Sequence, residues 1–374
     1  RRPSLVAEIG RPSDVFAALG RRLVATPTLG FLFGLGELDE GEVAEALSRR
    51  LPPGCQLVGA STDELQALVP PLAAGPAAVT ELRSEDENER IAVMLGAFPE
   101  AEALAFHVPI GACADLGEAL GDDELLEVMR RRQLPMGEEW RTIVLIVGEQ
   151  TMRHNIEPEQ MVKGFQLGSP GAAIVGGIAG GQLLCRATGR AEVFESGAVG
   201  LALKGNVPLT ALVSRGCAPL TPAYRARGAR IVSCGEERAV VIPELVAEDG
   251  ASLPPQRAVA RACRNRGCRG PLFAGVRLGQ GGYSLEELDQ DLFERSGSMR
   301  VPLARGAPEP SSDCGVRFYQ LDAGECRKDL RRLLGFVKQG CEEGQEQTLG
   351  AVMFTCGGRG ASFFGEDLAD AQAF

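Results

Sequence analysis

Lysine is scarce in this chain. Only four, Lys163, Lys204, Lys328 and Lys338, stand among 39 basic residues in a length of 374. Against 50 acidic residues the formal charge is -11, which opposes the broad, salt-sensitive attraction that phosphate backbones and anionic lipid exert on basic proteins. No nucleic acid and no membrane surface is therefore expected as a partner. The arginine excess is read as a compositional bias, with no function attached to it.

Histidine is scarcer still. His107 in AFHVP and His154 in TMRHNIEP are the two present, and neither has a serine, cysteine or second histidine at a spacing that nucleophilic triads use. That argues against His-based catalysis. Long apolar runs are missing too, since no window approaches the roughly 20 apolar residues of a membrane-spanning helix. A basic-then-apolar signal pattern is also absent from the first residues. The reading is a cytoplasmic protein, with the nucleus as the second compartment. The single tryptophan, Trp140, precedes an apolar run and reads as a core or interface aromatic.

A disulfide framework is the next absence. Eleven cysteines are scattered singly, and their odd number and wide spacing are unlike the dense pattern of small secreted domains. Reduced thiols are expected. The closest pair, Cys263 and Cys268 in CRNRGC, is spaced too widely for a zinc knuckle and has no matching pair downstream. Neither a metal nor a cofactor is expected.

What the chain does contain is repetition. Three segments enter a glycine-containing loop from an apolar run and continue with helical periodicity: TLGFLFGLGELDEGEVAEAL from Thr28, TIVLIVGEQTMRHNIEPEQMVKGF from Thr142, and TLGAVMFTCGGRGASFFGEDLADAQAF from Thr348. In the first two a second apolar strand follows the helix, CQLVGAS from Cys55 and AAIVGGIAGG from Ala172. In the first, Asp39 is placed to cap the helix and Leu51-Pro52-Pro53-Gly54 to stop it. Strand-like runs before the loop and a 3.6-residue period after it are how α/β layers are written. The expected fold is α/β (α+β): repeated strand-loop-helix-strand units forming layered mixed sheets flanked by helices, in two similar domains. Alternating runs from Ala198, Ala229 and Arg300 read as antiparallel strands. The acidic stretch from Ser84 to Arg90 reads as solvated surface, and GAPEPSSDCG over 306–315 as a connector.

The third segment carries a sharper pattern. AVMFTCGGRGASFFGEDLADAQAF resembles the signature of the FIST C-terminal domain, in which an apolar strand ends in Phe-x-Cys-x-x-Arg-Gly and leads into a helix. VRFYQLDAGECRKDLRRLL over 316–334 is similar to the element that precedes it. FLFGLGELDEGEVAEALSRRLPPGCQLVGAST resembles the opening of the FIST N-terminal domain, and AIVGGIAGG with LVSRGCAPLTPAYR its later part. The resemblance implies an N-terminal remnant over 1–22, a FIST N-terminal-like domain over 23–242 and a FIST C-terminal-like domain over 243–374 that is truncated at its end. It also implies a recognition role. Members occur as ligand-sensing domains of signalling proteins and, behind an F-box, as substrate receptors of ubiquitin ligases, and the latter form is the nearer. The implied partners are a protein substrate or a small-molecule ligand, with a ligase adaptor reached through an F-box that this sequence does not contain.

Cys356, Gly357, Gly358, Arg359 and Gly360 are the candidate ligand-binding residues. Glycines after a strand let a ligand approach the backbone closely, Arg359 offers a fork that pairs with a carboxylate, and Cys356 a lining or reactive thiol. The competing reading is that these glycines only permit a tight turn. Gly176 to Gly181 forms a second glycine run, read as a structural turn because it lacks the order of a dinucleotide-binding loop. Ser61 and Thr62 read as turn and cap residues, since the pattern of a nucleophile elbow fails at Asp63. Recognition is expected rather than catalysis; a thiol-dependent enzyme using Cys356 is the weakest alternative.

Overall fold

The computed structural model describes residues 3–23, 25–36, 42–69, 78–83, 90–119, 121–154, 156, 158–206, 209–214, 216–234, 237–266, 268, 272–277, 283–288, 297–303, 314–342, 348–366 and 369–373. The chain divides into two compact units, one of Arg1–Leu212 with Val337–Phe374, the other of Val213–Phe336.

The first unit begins with β1 (Ser4–Gly10), α1 (Pro12–Arg22), β2 (Leu29–Leu35), α2 (Glu42–Arg50) and β3 (Gln56–Thr62). A hairpin of β4 (Glu64–Val69) and β5 (Ala78–Arg83) leads to β6 (Ile91–Ala97) and β7 (Ala101–Val108). Two helices, α3 (Ile110–Glu118) and α4 (Asp122–Arg131), precede β8 (Trp140–Gly148), the single turn α5 (Glu149–Met152) and α6 (Pro158–Gly168). The series closes with β9 (Ala173–Ala179), β10 (Leu183–Ala187), β11 (Arg190–Phe194) and β12 (Ala198–Gly205).

Apart from the β4–β5 hairpin these strands form two sheets, in the orders β1-β6-β2-β3-β10-β11 and β7-β12-β8-β9. Both are mixed, with β2–β3 and β8–β9 as their parallel pairs. Alternation along each strand then builds four layers. Leu32, Leu57, Leu95 and Leu184 face outward against Val15, Phe16 and Leu19 of α1 and Val43 and Leu47 of α2. Ile143, Leu145 and Val147 face the opposite way, against Leu116, Leu125, Met129, Met161 and Phe165 of the other helices. Between the sheets Leu29, Phe31, Val58 and Ala60 meet Val144, Ile146, Val199 and Leu201. Strands covered on both sides must be apolar at nearly every position, which is why LGFLFGL and TIVLIVG lack a polar alternation.

The first two repeats are thus the two parallel pairs, and they match in detail. Leu32 of β2 lies opposite Gly59 of β3, and Leu145 of β8 opposite Gly176 of β9. A Cβ on Gly59 would fall 1.7 Å from the Leu32 carbonyl oxygen, and one on Gly176 1.7 Å from that of Leu145. Only glycine fits either place, and Gly176 also holds a φ of +151°.

Among the described residues the largest fully buried side chain is an arginine. Arg186 of β10 is 0% exposed. Its Nη1 donates to the carbonyls of Pro52 (3.2 Å) and Cys55, and its Nη2 to that of Leu51 (3.0 Å). These carbonyls follow α2, at the negative end of its dipole, so the guanidinium neutralises acceptors that the helix leaves open. Its Nε has no hydrogen-bond partner among the described residues, and burial pulls its pKa below the usual arginine range. Beside it the fully buried thiol of Cys55 is pushed up to about 11 by desolvation, with the guanidinium acting the other way.

The second unit holds β13 (Cys217–Pro219), β14 (Tyr224–Arg227), β15 (Arg230–Cys234), β16 (Glu237–Ile242), β17 (Glu244–Val246), β18 (Ser252–Leu253), α7 (Pro255–Arg266) and β19 (Leu272–Arg277). It continues with β20 (Tyr283–Glu287), β21 (Met299–Leu303), β22 (Gly315–Leu321) and the start of a helix over Ala323–Glu342. One sheet runs β18-β17-β14-β22-β19-β20 with β13 also on β22, the other β15-β16-β21, and all pairings are antiparallel. Phe318, Val316, Val276, Val240 and Met299 fill its core. The antiparallel strands expected from Ala198, Ala229 and Arg300 are present, although the first ends at Gly205. No helix among the described residues is long and apolar enough to cross a membrane.

Three expectations need correction. Thr348–Cys356 forms no strand, because Phe354 packs on the face of β9 over Gly177, where a Cβ would meet it at 3.2 Å, instead of beside the strand's edge. The helix expected after it shortens to Ala361–Phe364 and a 3-10 turn over Ala371–Ala373, separated by Gly365 in the left-handed conformation with φ +74°. Not every thiol is reduced: Cys263 in the last turn of α7 is bonded to Cys268, the end of the helix bringing their Cα atoms to 4.8 Å. The Asp39 cap, most of the acidic stretch from Ser84 and most of the 306–315 connector lie outside the described residues.

Replacing Arg186 by methionine leaves the Leu51, Pro52 and Cys55 carbonyls buried without donors. A loss of about 2–4 kcal/mol is expected in urea unfolding, with Arg186→Lys falling between, since one ammonium cannot span three acceptors. An unchanged midpoint for both variants would show that the guanidinium is not what closes this corner.

Candidate functional site

Two parallel pairs have two carboxyl ends, and the chain brings several loops to them. β2 ends at Gly36, whose φ is +70°; β3 ends at Ser61, Thr62 and Asp63; β8 runs into Glu149, and β9 into Gly180 and Gly181. Ser61 is 2% exposed, and its Oγ accepts the Gln182 amide at 2.7 Å. A Cβ on Gly181 would fall 2.0 Å from that oxygen, so the glycine is required. A Cβ on Gly180 would lie 3.8 Å from Glu149 Oε2 and 4.0 Å from Asp63 Oδ2, which puts carboxylates from both repeats around one glycine.

A second wall comes from the loop between β11 and β12. Thr151, fully buried, donates from Oγ1 to the Gly197 carbonyl and accepts the Gly197 amide, both at 2.7 Å. The Gly148 amide reaches the same carbonyl at 3.0 Å, and the Gln182 side-chain amide donates to Glu195 at 2.8 Å. His107, near the end of β7, stacks on Phe194 with 3.6 Å between centroids and lies 3.3 Å from the Ser196 carbonyl through Nε2. Burial lowers its pKa below the ordinary 6.5, against the opposing pull of the Ser196 carbonyl and Glu192.

The third repeat arrives by a different route. Gly350 lies against Leu5 and Met94, Val352 and Phe354 join the core between the sheets, and Phe354 meets Phe33 edge-on at 6.1 Å. Met94 pairs with Phe31 across β6 and β2. The segment therefore runs along β2 in the direction of that strand and delivers Cys356–Gly360 toward the carboxyl ends of β2 and β9. Cys356 is exposed, and its Sγ lies 3.7 Å from where a Cβ on Gly358 would fall. Gly357–Arg359 forms a 3-10 turn closed by the Arg359 amide on the Cys356 carbonyl at 2.8 Å.

Arg359 is held firmly. Its Nε donates to Asp370 Oδ2 at 2.6 Å and its Nη2 to Oδ1 at 2.7 Å, with the two side chains 18% and 8% exposed. The guanidinium also lies 5.3 Å from the centroid of the Phe364 ring. The five residues read from the sequence thus stay together in one turn. Asp370, Asp63, Glu149, Thr151 and Gln182 were not read from it, although an acidic residue directly after the strand ending in Gly148 was a usable signal for Glu149. Ser61 is a buried strand-end acceptor and no helix cap. Gly176 and Gly177 belong to β9, and the turn starts at Gly180. Trp140 opens β8, buried under the Lys204 ammonium at 5.3 Å. His154 is exposed on the turn after α5. Among the described residues no group of three or more His, Cys, Asp or Glu could hold a metal ion.

A layered α/β unit whose loops gather at the carboxyl ends of parallel strands belongs to the class of architectures that seat small molecules at that edge. A family model described as the FIST N domain matches residues 28–240, more than half of the chain, and the chain belongs to that family. No curated protein matches it. Among solved structures it is similar to a cyanuric acid hydrolase from A. caulinodans, at 10% identity over 86% of this chain and 99% of that chain, with a TM-score of 0.23. A likeness that low carries no argument.

An imidazole with a lowered folded pKa contributes stability that is present above its unfolded value of 6.5 and lost as pH falls through the folded value. Thermal melts between about pH 7.5 and about pH 5 should therefore show a steeper loss for the wild-type protein than for His107→Gln. Parallel losses would place the titration elsewhere.

Proposed function

We propose that this protein is a recognition module that binds a small polar ligand at the carboxyl edge of β2, β3, β8 and β9, with Cys356, Gly357, Gly358, Arg359 and Gly360 as one wall. One observation carries the reading: three glycine turns, one from each repeat, are directed to the same edge, where backbone without side chains leaves room for close approach. Membership of the FIST family agrees with it. The carboxylates of Asp63 and Glu149 add polar groups that orient a ligand. Signal transduction through such binding is the sensory reading of the family resemblance.

The finer reading, a substrate receptor of an F-box ubiquitin ligase, rests on the resemblance of the Phe-x-Cys-x-x-Arg-Gly motif alone. Co-purification of the full-length protein with the ligase adaptor separates it from the sensory one. Catalysis by Cys356 has less support, because neither histidine of the sequence stands at a spacing from it that nucleophilic pairs use.

The ligand reading is tested by a thermal-shift screen of small metabolites, since a ligand of the folded state raises the melting temperature by mass action. Gly358→Ala fits the turn, where a Cβ would lie at an ordinary contact distance of 3.7 Å from Cys356 Sγ. It is expected to keep the unliganded melting temperature while losing most of the ligand-induced shift. A hit whose shift is untouched in Gly358→Ala moves the site away from this loop.

A further inference from the structure

The fork of Arg359 is already filled, by a carboxylate of the same chain. Asp370 meets it with two parallel hydrogen bonds of 2.6 and 2.7 Å at low exposure, the arrangement by which arginine recognises any carboxylate. Beside it Gly358 is exposed, and the Cys356 sulfur lies 3.7 Å from where its Cβ would be. We infer that Asp370 is an internal stand-in for a ligand carboxylate, and that the described turns over 361–366 and 369–373 belong to a latch that a small carboxylate opens by taking its place on Arg359. This rests on the ligand-site reading above.

The segment is built for such an exchange. It consists of a four-residue helical turn, a left-handed glycine at Gly365 and a three-residue 3-10 turn. Its described backbone bonds close turns locally: Phe363 and Phe364 to Gly360, Gly365 to Ala361, and Ala373 to Asp370. Phe364, which covers the guanidinium, belongs to the same segment, so the ion pair and its apolar cover are released together. The turn over Ala371–Ala373 lies against β4, the strand that follows Asp63. Occupancy of Arg359 is therefore passed to the strand leaving the carboxyl end of β3. Exchange of one carboxylate for another keeps the guanidinium paired throughout, and this avoids the large penalty of exposing a half-buried pair by simply breaking it.

The experiment uses N-acetylglycine as the carboxylate probe and N-acetylglycinamide, its uncharged counterpart, as control, in the full chain. Removing the internal competitor raises the competent fraction, so Asp370→Asn should bind N-acetylglycine about tenfold more tightly than wild type by calorimetry. Arg359→Lys should lose binding, and the amide should bind to none of them. In wild type, saturating probe should speed hydrogen exchange in 361–373 while leaving β8 unchanged, a readout that holds even if a variant folds poorly. Equal affinities in wild type and Asp370→Asn with unchanged exchange, or no binding of the probe to either, overturns the latch. If the metabolite screen meanwhile yields an uncharged ligand that Gly358→Ala loses, the site stands without the latch; if it yields none, the site itself fails.

Discussion

The first unit depends on two close backbone approaches. At Gly59 and at Gly176 the carbonyl of the neighbouring parallel strand occupies the space a Cβ would need. Each glycine lies at the middle of the returning strand, so it fixes both the register and the distance of that strand. With the return strand parallel, the loop into each helix and the loop out of each second strand must lie at the same end. The carboxyl edge therefore follows from the pairing, before any side chain is considered. Its chemistry is then decided by which residues follow the strands: Ser61 to Asp63, Glu149 to Thr151, and Gly180 to Gln182.

Arg186 closes the opposite end of the fold, where β3 begins. Its guanidinium gathers the carbonyls after α2, where the first crossover turns back into β3, while its backbone belongs to β10, the strand that follows the second repeat. A charge this deep is costly to desolvate, and it is tolerated because helix-end carbonyls supply a concentrated negative potential. That corner adds to the β3–β10 ladder and to the Ser61–Gln182 bonds, which also join the first crossover to the strand after the second repeat.

What was legible in the sequence is what local pattern determines. Apolar runs followed by a change to helical period gave the first two repeats, and the Pro-Pro-Gly stop after Leu51 placed the end of α2 at Arg50. The third repeat was misread because a strand is a relation between two chains. Phe354 found a side-chain pocket over Gly177, which no property of TLGAVMF announces. Arg186 carries no local signal either, since its acceptors are some 130 residues away in the chain. The Cys263–Cys268 bond required knowing that α7 ends between them. Asp370 follows Arg359 at a spacing no helix would bring together, and meets it only because Gly365 reverses the chain.

The loop that carries Arg359 stands at an acidic edge of an acidic protein, which bears on what Arg359 can do. An unpaired guanidinium there would attract the nearest carboxylate of its own chain, so an internal partner is the resting state to be expected. Breaking such a pair outright costs about 3–5 kcal/mol when it is buried, far more than a weak small ligand returns. Substitution avoids that cost, because the two hydrogen bonds and the charge compensation survive with a different donor of the carboxylate. What remains is the small difference between ordering a ligand and releasing a segment whose described turns are closed by their own backbone. A difference of that size is what allows occupancy at one side chain to set the state of a whole segment.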